Sequence, residues 1–356
     1  MTKLKTLAER IKNNELPPPA EYKTPEEVYE AYTSGKAEGA IFDPEGQEQA
    51  YAESVAMGYG DAEQVARDNG FEGQGKGKLI LVYKAAWDLA GTDKAFRSYP
   101  NQITGDCVAH SNRNSLVLSV ANAAANGDGS FPDTMEDDWK IGGFCTMANW
   151  WTRGYSGAGW SCSKAMSNSK TRIGLVVAKK YDSPTNMDLS VYNKSTNGAY
   201  GSKSPGKSIE EQLGTHLVKS YTRLSDKSFE VIEDFCAAGY GISSCGSEGW
   251  SKSRDSWGFS KRSGSWSHAL CIAGTDSTPE AIQRYGEPLV LIQNSWATWN
   301  GSDRRHCHDD PSLPMIPVGS FWAKYSDMKK RDMYAVSSVQ GFPNRKLKAW
   351  NLRGLI

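Results

Sequence analysis

Helix-forming and strand-forming signals are segregated along this chain, and their order constrains the fold more than any other feature. Cys107 to about Ala125 is rich in Ala, Val and Leu and stops at Gly127, as one helix would. Residues 228–238 also read as helical. Beyond 240 the pattern becomes β-like: Ala269-Leu270-Cys271-Ile272-Ala273 and Leu289-Val290-Leu291-Ile292-Gln293 are apolar runs between Gly, Pro and Ser turns. One earlier apolar run, Leu79-Ile80-Leu81-Val82-Tyr83, reads as a short strand, while residues 128–210 read as loop-rich. Helices first and strands later predict an α+β protein, with two subdomains and a cleft between them. There is no internal repeat.

Residues 1–78 read as an extension of short helices. Leu4, Leu7 and Ile11 share a helical face before Pro17-Pro18-Pro19 stops it. Thr24-Pro25-Glu26-Glu27 is a capping box, Asp43-Pro44 opens another helix, and Asp61 with Gln64 a third that Asn69-Gly70 closes. This segment is polar, so it is expected to pack outside a main body. Gly70-Phe71-Glu72-Gly73-Gln74-Gly75-Lys76-Gly77 comes close to a phosphate-binding loop. Gly77 stands where a Mg²⁺-binding Ser or Thr is needed and no buried strand precedes it, so it reads as a solvated turn.

Charge excludes several functions. Lys+Arg and Asp+Glu are each 41, so there is no basic excess to grip nucleic acid or an anionic membrane. No apolar run is long enough to span a bilayer, and the first ten residues have no apolar signal core. Neither nucleic acid nor membrane is therefore expected as a partner, and secretion by a signal peptide is not expected. The seven cysteines are widely spaced with no C-x-x-C, and most read as buried fillers rather than a disulfide framework. His306-Cys307-His308-Asp309-Asp310 has metal-ligand residue types, but neighbours on a strand face opposite ways, so it reads as a polar loop. No metal and no cofactor are expected.

Three short segments carry chemistry. In Gln102-Ile103-Thr104-Gly105-Asp106-Cys107, a cysteine follows a Gly-containing loop at a helix start. Free N–H groups and the helix dipole favour thiolate there, and those N–H groups together with a nearby Gln can hold an oxyanion. In Ser267-His268-Ala269-Leu270, a histidine leads a strand, a rigid mount for a general base. In Gln293-Asn294-Ser295-Trp296, an Asn ending the next strand can orient the imidazole, and Trp296 can shield that bond. Thiol, base and orienting amide, in that order and far apart in sequence, form a nucleophilic triad assembled by folding.

These residues resemble the papain-like cysteine peptidases. Gln102, Cys107-Val108-Ala109-His110-Ser111, His268-Ala269 and Asn294-Ser295-Trp296 match that family's motifs in order. The segment Arg153-Gly154-Tyr155-Ser156-Gly157-Ala158-Gly159-Trp160 resembles its Gly-rich cleft wall, and Gly319-Ser320-Phe321-Trp322-Ala323-Lys324-Tyr325 the strand after Asn-Ser-Trp. The likeness spans roughly 95–342. Gln102 stands one position nearer the cysteine than usual, Val108 replaces a common Trp, Ala297 replaces a usual Gly, and Asp106 adjoins the nucleophile, where its charge opposes thiolate. No typical inhibitory propeptide is evident. In style the sequence is closer to bacterial and bacteriophage-encoded members.

The resemblance implies a papain-like α+β fold over 79–345, with a helical half at about 95–210 and an antiparallel β half at about 211–345. The extension at 1–78 and an amphiphilic tail at 346–356 flank it. It implies a cysteine peptidase acting on a peptide or protein substrate, with Cys107, His268, Asn294 and Gln102 catalytic and Gly157, Gly159, Trp160, Trp266 and Trp296 binding substrate. Residues of the 240–266 stretch are expected on the wall opposite 154–160, with the thiol left accessible. The alternative is a non-catalytic or latent scaffold, a structural or docking protein of a viral particle or other large assembly, engaged through the extension and the tail. Compact cell-wall endopeptidases, a third option, place Cys and His much closer together.

Overall fold

A computed structural model describes residues 7–18, 20–89, 102–127, 143–182, 186–192, 206–213, 217–301, 305–338 and 340–350. Leu4, Pro19 and the tail beyond 350 lie outside the described residues. The extension forms α1 (Leu7–Lys12), α2 (Pro25–Thr33), α3 (Pro44–Ala56) and α4 (Ala62–Asp68). Thr24, Asp43 and Asp61 cap the last three, each accepting from a first-turn N–H. Then come β1 (Leu79–Leu81), α5 (Tyr83–Leu89) and α6 (Cys107–Ala125). The expected strand over 79–83 is shorter than predicted, because Tyr83 begins α5.

The described residues between 143 and 210 are more ordered than a loop-rich reading allows. They hold α7 (Met147–Trp151), α8 (Cys162–Thr171) and a ribbon of β2 (Lys180–Tyr181) and β3 (Met187–Asp188), ahead of α9 (Lys207–Leu213). Polar residues hide these helices from a hydrophobic pattern: in α8 the buried positions include Ser163 and Ser169. The rest comprises β4 (Tyr221–Arg223), α10 (Phe229–Ala237), β5 (Ile242–Trp250), β6 (Arg262–Asp276), α11 (Pro279–Tyr285), β7 (Leu289–Gln293), β8 (Phe321–Lys324), α12 (Tyr325–Met328), β9 (Asp332–Val336) and β10 (Ala349–Trp350).

Among the described residues, eight strands form one antiparallel sheet in the order β10-β1-β6-β5-β9-β4, with β7 on the far part of β6 and β8 beyond it. Two of its strands, β1 and β10, come from outside 211–345, and β10 folds the described part of the tail back onto β1. Helix α6 is buried from Cys107 to Ala123 and lies against this sheet. Ser111 Oγ donates to Leu270 O at 2.5 Å and Ser119 Oγ to Val336 O at 2.6 Å. The structure is thus the expected α+β arrangement: a helix carrying the cysteine packs on an antiparallel sheet carrying the histidine and asparagine.

Three local expectations need correction. Cys162 and Cys245 form a disulfide, with Cα atoms 6.0 Å apart, joining α8 to β5. Folding makes this pair neighbours across a separation of 83 residues, which chain spacing does not reveal. Cys107, Cys145, Cys236, Cys271 and Cys307 are free and buried, as fillers are. The glycine loop at 70–77 is docked, not merely solvated. Asp234 accepts from Gly73 N at 2.7 Å and Gly75 N at 3.1 Å, so an internal carboxylate occupies these donors. His308 is buried, its Nε2 2.6 Å from Asp276 and its ring stacked 5.0 Å from Trp322, so this stretch is a packed turn.

Candidate active site

Local structure explains each placement. The 102–106 loop enters α6 at Cys107, where the first-turn N–H groups have no helical acceptor. Asp106 occupies the N-cap position but makes no side-chain cap bond; Tyr192 Oη donates to its carboxylate at 2.6 Å. His268 stands in β6 opposite Gly246 of β5. The register Cys271↔Gln293 between β6 and β7 brings Asn294, just past the end of β7, beside it. His268 Nε2 and Asn294 Oδ1 are 2.8 Å apart, and Ser295 N donates to the same oxygen at 2.8 Å. That amide oxygen accepts, so Nε2 carries the proton and Nδ1 keeps its lone pair. Nδ1 is buried without a hydrogen bond among the described residues. Trp296 stacks on the imidazole at 4.3 Å and excludes water from the His268–Asn294 bond.

The sulfur of Cys107 accepts from Ala269 N at 3.3 Å, beside His268. Gln102 is held by Ser295 Oγ at 2.7 Å and Trp296 Nε1 at 3.1 Å, both donating to its Oε1. Its Nε2 is thereby aimed inward, where it donates to Tyr32 Oη at 2.8 Å and Thr104 O at 2.6 Å. Folding therefore gathers Cys107, His268, Asn294 and Gln102 at one buried point. Ser295 has an orienting role that the motif reading did not assign.

The extension does not pack outside this point and leave the thiol accessible, as expected; it covers it. Tyr32 of α2 is buried, hydrogen-bonded to Cys107 and Gln102, with its ring 4.9 Å from that of His268 and 5.1 Å from that of Trp296. Residues 39–41 then run extended between two walls. Ala40 N donates to Ser267 O at 3.0 Å, Ser267 Oγ to Ala40 O at 2.6 Å, Ile41 N to Trp160 O at 2.8 Å, and Trp160 N to Gly39 O at 2.8 Å. Gly39 passes directly over the sulfur: a Cβ there would lie 2.4 Å from Cys107 Sγ. Gly157 (φ +99°) and Gly159 (φ +85°) admit Leu16 and Ile41 to the wall, where side chains would collide.

The carbonyl of the cover is bonded to the Trp160 wall and not to Gln102. Gly39 O accepts from Trp160 N, whereas Gln102 Nε2 is occupied by the Tyr32 hydroxyl. Burial, partly offset by the Tyr32 and Ala269 hydrogen bonds, pushes the Cys107 thiol up to about 12. Burial also drives the His268 imidazole down to about 3, against the supporting bond from Asn294. Thiol and imidazole are both neutral in this closed form.

Of the expected binding residues, Gly157, Gly159 and Trp160 form the wall that contacts the extension. Trp266 and Trp296 do not line an open cleft. Both are fully buried in a cluster with Trp299 and with Tyr29 of α2, because large aromatic surfaces stabilise most when removed from water. From the 240–266 stretch, residues 245–248 line a cavity of about 420 Å³ beside residues 40–42, together with Ser267, Arg331 and Asp332. Tyr32 and Gly39 had no visible functional signal: Tyr32 lies four residues after Val28 on the apolar face of α2 and reads as core.

No protein-family model matches the chain, and no curated protein sequence does. Solved structures similar to it include xylellain, a cysteine protease from Xylella fastidiosa (13% identity, TM-score 0.43, 68% of this chain and 82% of that one). Others are the cysteine protease and lectin-like domains of Cwp84, a surface layer associated protein of Clostridium difficile (17%, 0.40, 65% and 46%), and a digestive procathepsin L2 proteinase from Tenebrio molitor larval midgut (13%, 0.39, 65% and 61%). No described helix is long and apolar enough to cross a membrane.

Proposed function

We propose that this protein is a papain-like cysteine peptidase held latent by its own N-terminal segment. The carrying observation is the convergence of Cys107, the His268–Asn294 pair and Gln102 beneath residues 32 and 39–41. Once that segment leaves, the sulfur attacks an amide carbonyl of a peptide or protein substrate. His268 Nδ1 takes the thiol proton and returns it to the leaving amine, while Asn294 fixes the ring. The Cys107 N–H and Gln102 Nε2 hold the oxyanion. Water then hydrolyses the thioester, with His268 as base. The test is hydrolysis of a mixed peptide library after limited proteolysis removes the cover. Cys107→Ser and His268→Ala should each abolish it, and undiminished hydrolysis in Cys107→Ser would refute the assignment.

The second reading is a non-catalytic or latent scaffold of bacteriophage type, cytoplasmic or virion-associated, docking on a viral particle or other assembly through the extension and tail. The depth at which Tyr32 fills the site favours it. Stoichiometric co-sedimentation with a large particle, and no hydrolysis after the cover is removed, would select this reading.

A further inference from the structure

Arg331 is fully buried directly below His268, an expensive place for a permanent charge. Its donors are all engaged. Nε donates to Ser244 Oγ at 2.8 Å, Nη2 to His268 O at 2.6 Å and Ser244 O at 3.2 Å, and Nη1 to Glu248 Oε2 at 3.3 Å and Glu248 O at 3.4 Å. The strand is interrupted to admit it. Gly246, the register partner of His268, could carry no side chain, since a Cβ would lie 2.7 Å from Arg331 Cγ and 2.7 Å from Glu248 Oε2. An irregularity in the pairing separates Gly246 from Glu248. The guanidinium also lies 5.6 Å from the Trp250 ring.

Resting on the reading of Cys107 and His268 as nucleophile and base, we propose that Arg331 is the positioning residue of that pair. It pins the main chain of His268 and supplies a fixed positive charge that stabilises Cys107 thiolate, with Glu248 moderating that charge. A cation stabilises a neighbouring anion and opposes a neighbouring cation. Burial lowers Arg331 to about 10, still charged at neutral pH, and its charge acts downward on both the Cys107 thiol and the His268 imidazole. The other groups facing Cys107 are Tyr22 and Tyr32 of the extension and Asp106 at the helix start; His110 lies near His268. None of these is a cation at neutral pH, so Arg331 is the positive member of the described set.

The test uses the full chain. Iodoacetamide modification of Cys107 is followed by peptide mass spectrometry from pH 5 to 10, with Cys145, Cys236, Cys271 and Cys307 as internal monitors of global opening. The midpoint of the pH profile reports the thiol in the opened form, and its amplitude reports opening. Arg331→Met should raise the midpoint by about one unit, slowing modification about tenfold at neutral pH. Arg331→Lys should restore most of it, and Glu248→Gln should lower the midpoint. A residue that is merely structural would not move the two midpoints in opposite directions. Unmoved or same-direction midpoints overturn the proposal, and if Arg331→Met fails to fold, an unmoved or raised midpoint in Glu248→Gln overturns it alone. His268→Ala separates the two claims: no loss of peptide hydrolysis in that variant refutes the active-site reading, whatever Arg331 does.

Discussion

Replacing Gly39 with alanine tests the obstruction most directly. Its φ lies outside the left-handed region, so alanine meets no backbone penalty and the change adds only a methyl group. That methyl would lie 2.4 Å from Cys107 Sγ, 2.6 Å from Ser267 O and 2.7 Å from Tyr32 Oη. None of the three yields easily: the sulfur is on a short buried side chain, the carbonyl belongs to β6, and Gln102 holds the tyrosine hydroxyl. Forcing a methyl into such a site costs about 1–3 kcal/mol. If that cost falls on the closed form alone, the open fraction rises roughly 5- to 150-fold. Iodoacetamide modification of Cys107 should accelerate by that factor, while the other buried cysteines keep their rates. A rate within about twofold of the parent, in a variant with unchanged melting temperature, would show that residues 39–41 do not control access to the sulfur.

Three further outcomes follow from the same geometry. Tyr32→Phe keeps the ring against His268 and Trp296 but removes the hydroxyl from Gln102 and Cys107, so Cys107 modification should rise about fivefold, equivalent to about 1 kcal/mol; an unchanged rate would remove the hydroxyl from the account. Cys245→Ser breaks the link between α8 and β5 and should lower unfolding free energy by roughly 2–4 kcal/mol in urea titration. A reductant should then weaken the parent but not the variant, and equal midpoints would refute this. The third concerns pH. Burial holds the folded-state value of His268 at about 3, below the ordinary imidazole value near 6.5. The unfolded chain therefore binds a proton that the folded chain refuses, so stability is full above pH 6.5 and declines as pH falls toward 3, by at most about 1.4 kcal/mol per pH unit. His268→Gln should flatten that part of the stability curve, and parallel curves for parent and variant would contradict it.

The helix over Cys107–Ala125, the strands carrying His268 and leading to Asn294, and the capped helices of the extension were legible in sequence. Each follows from local rules: apolar run length, turn residues, and a capping oxygen next to a proline. The order of thiol, base and amide was equally legible, because motif residues keep their chemistry wherever they lie. Tertiary structure alone decided what surrounds them. Tyr32 has the sequence signature of a core residue, and only the packing of α2 over His268 and Trp296 makes it an obstruction. Cys162 and Cys245 look like isolated fillers until α8 meets β5. Arg331 is an unremarkable base in the sequence until Gly246 opens space for it beneath His268. Burial, hydrogen-bond partners and shifted proton affinities are set by neighbours distant along the chain, whereas a sequence pattern reports directly only on neighbours that are near.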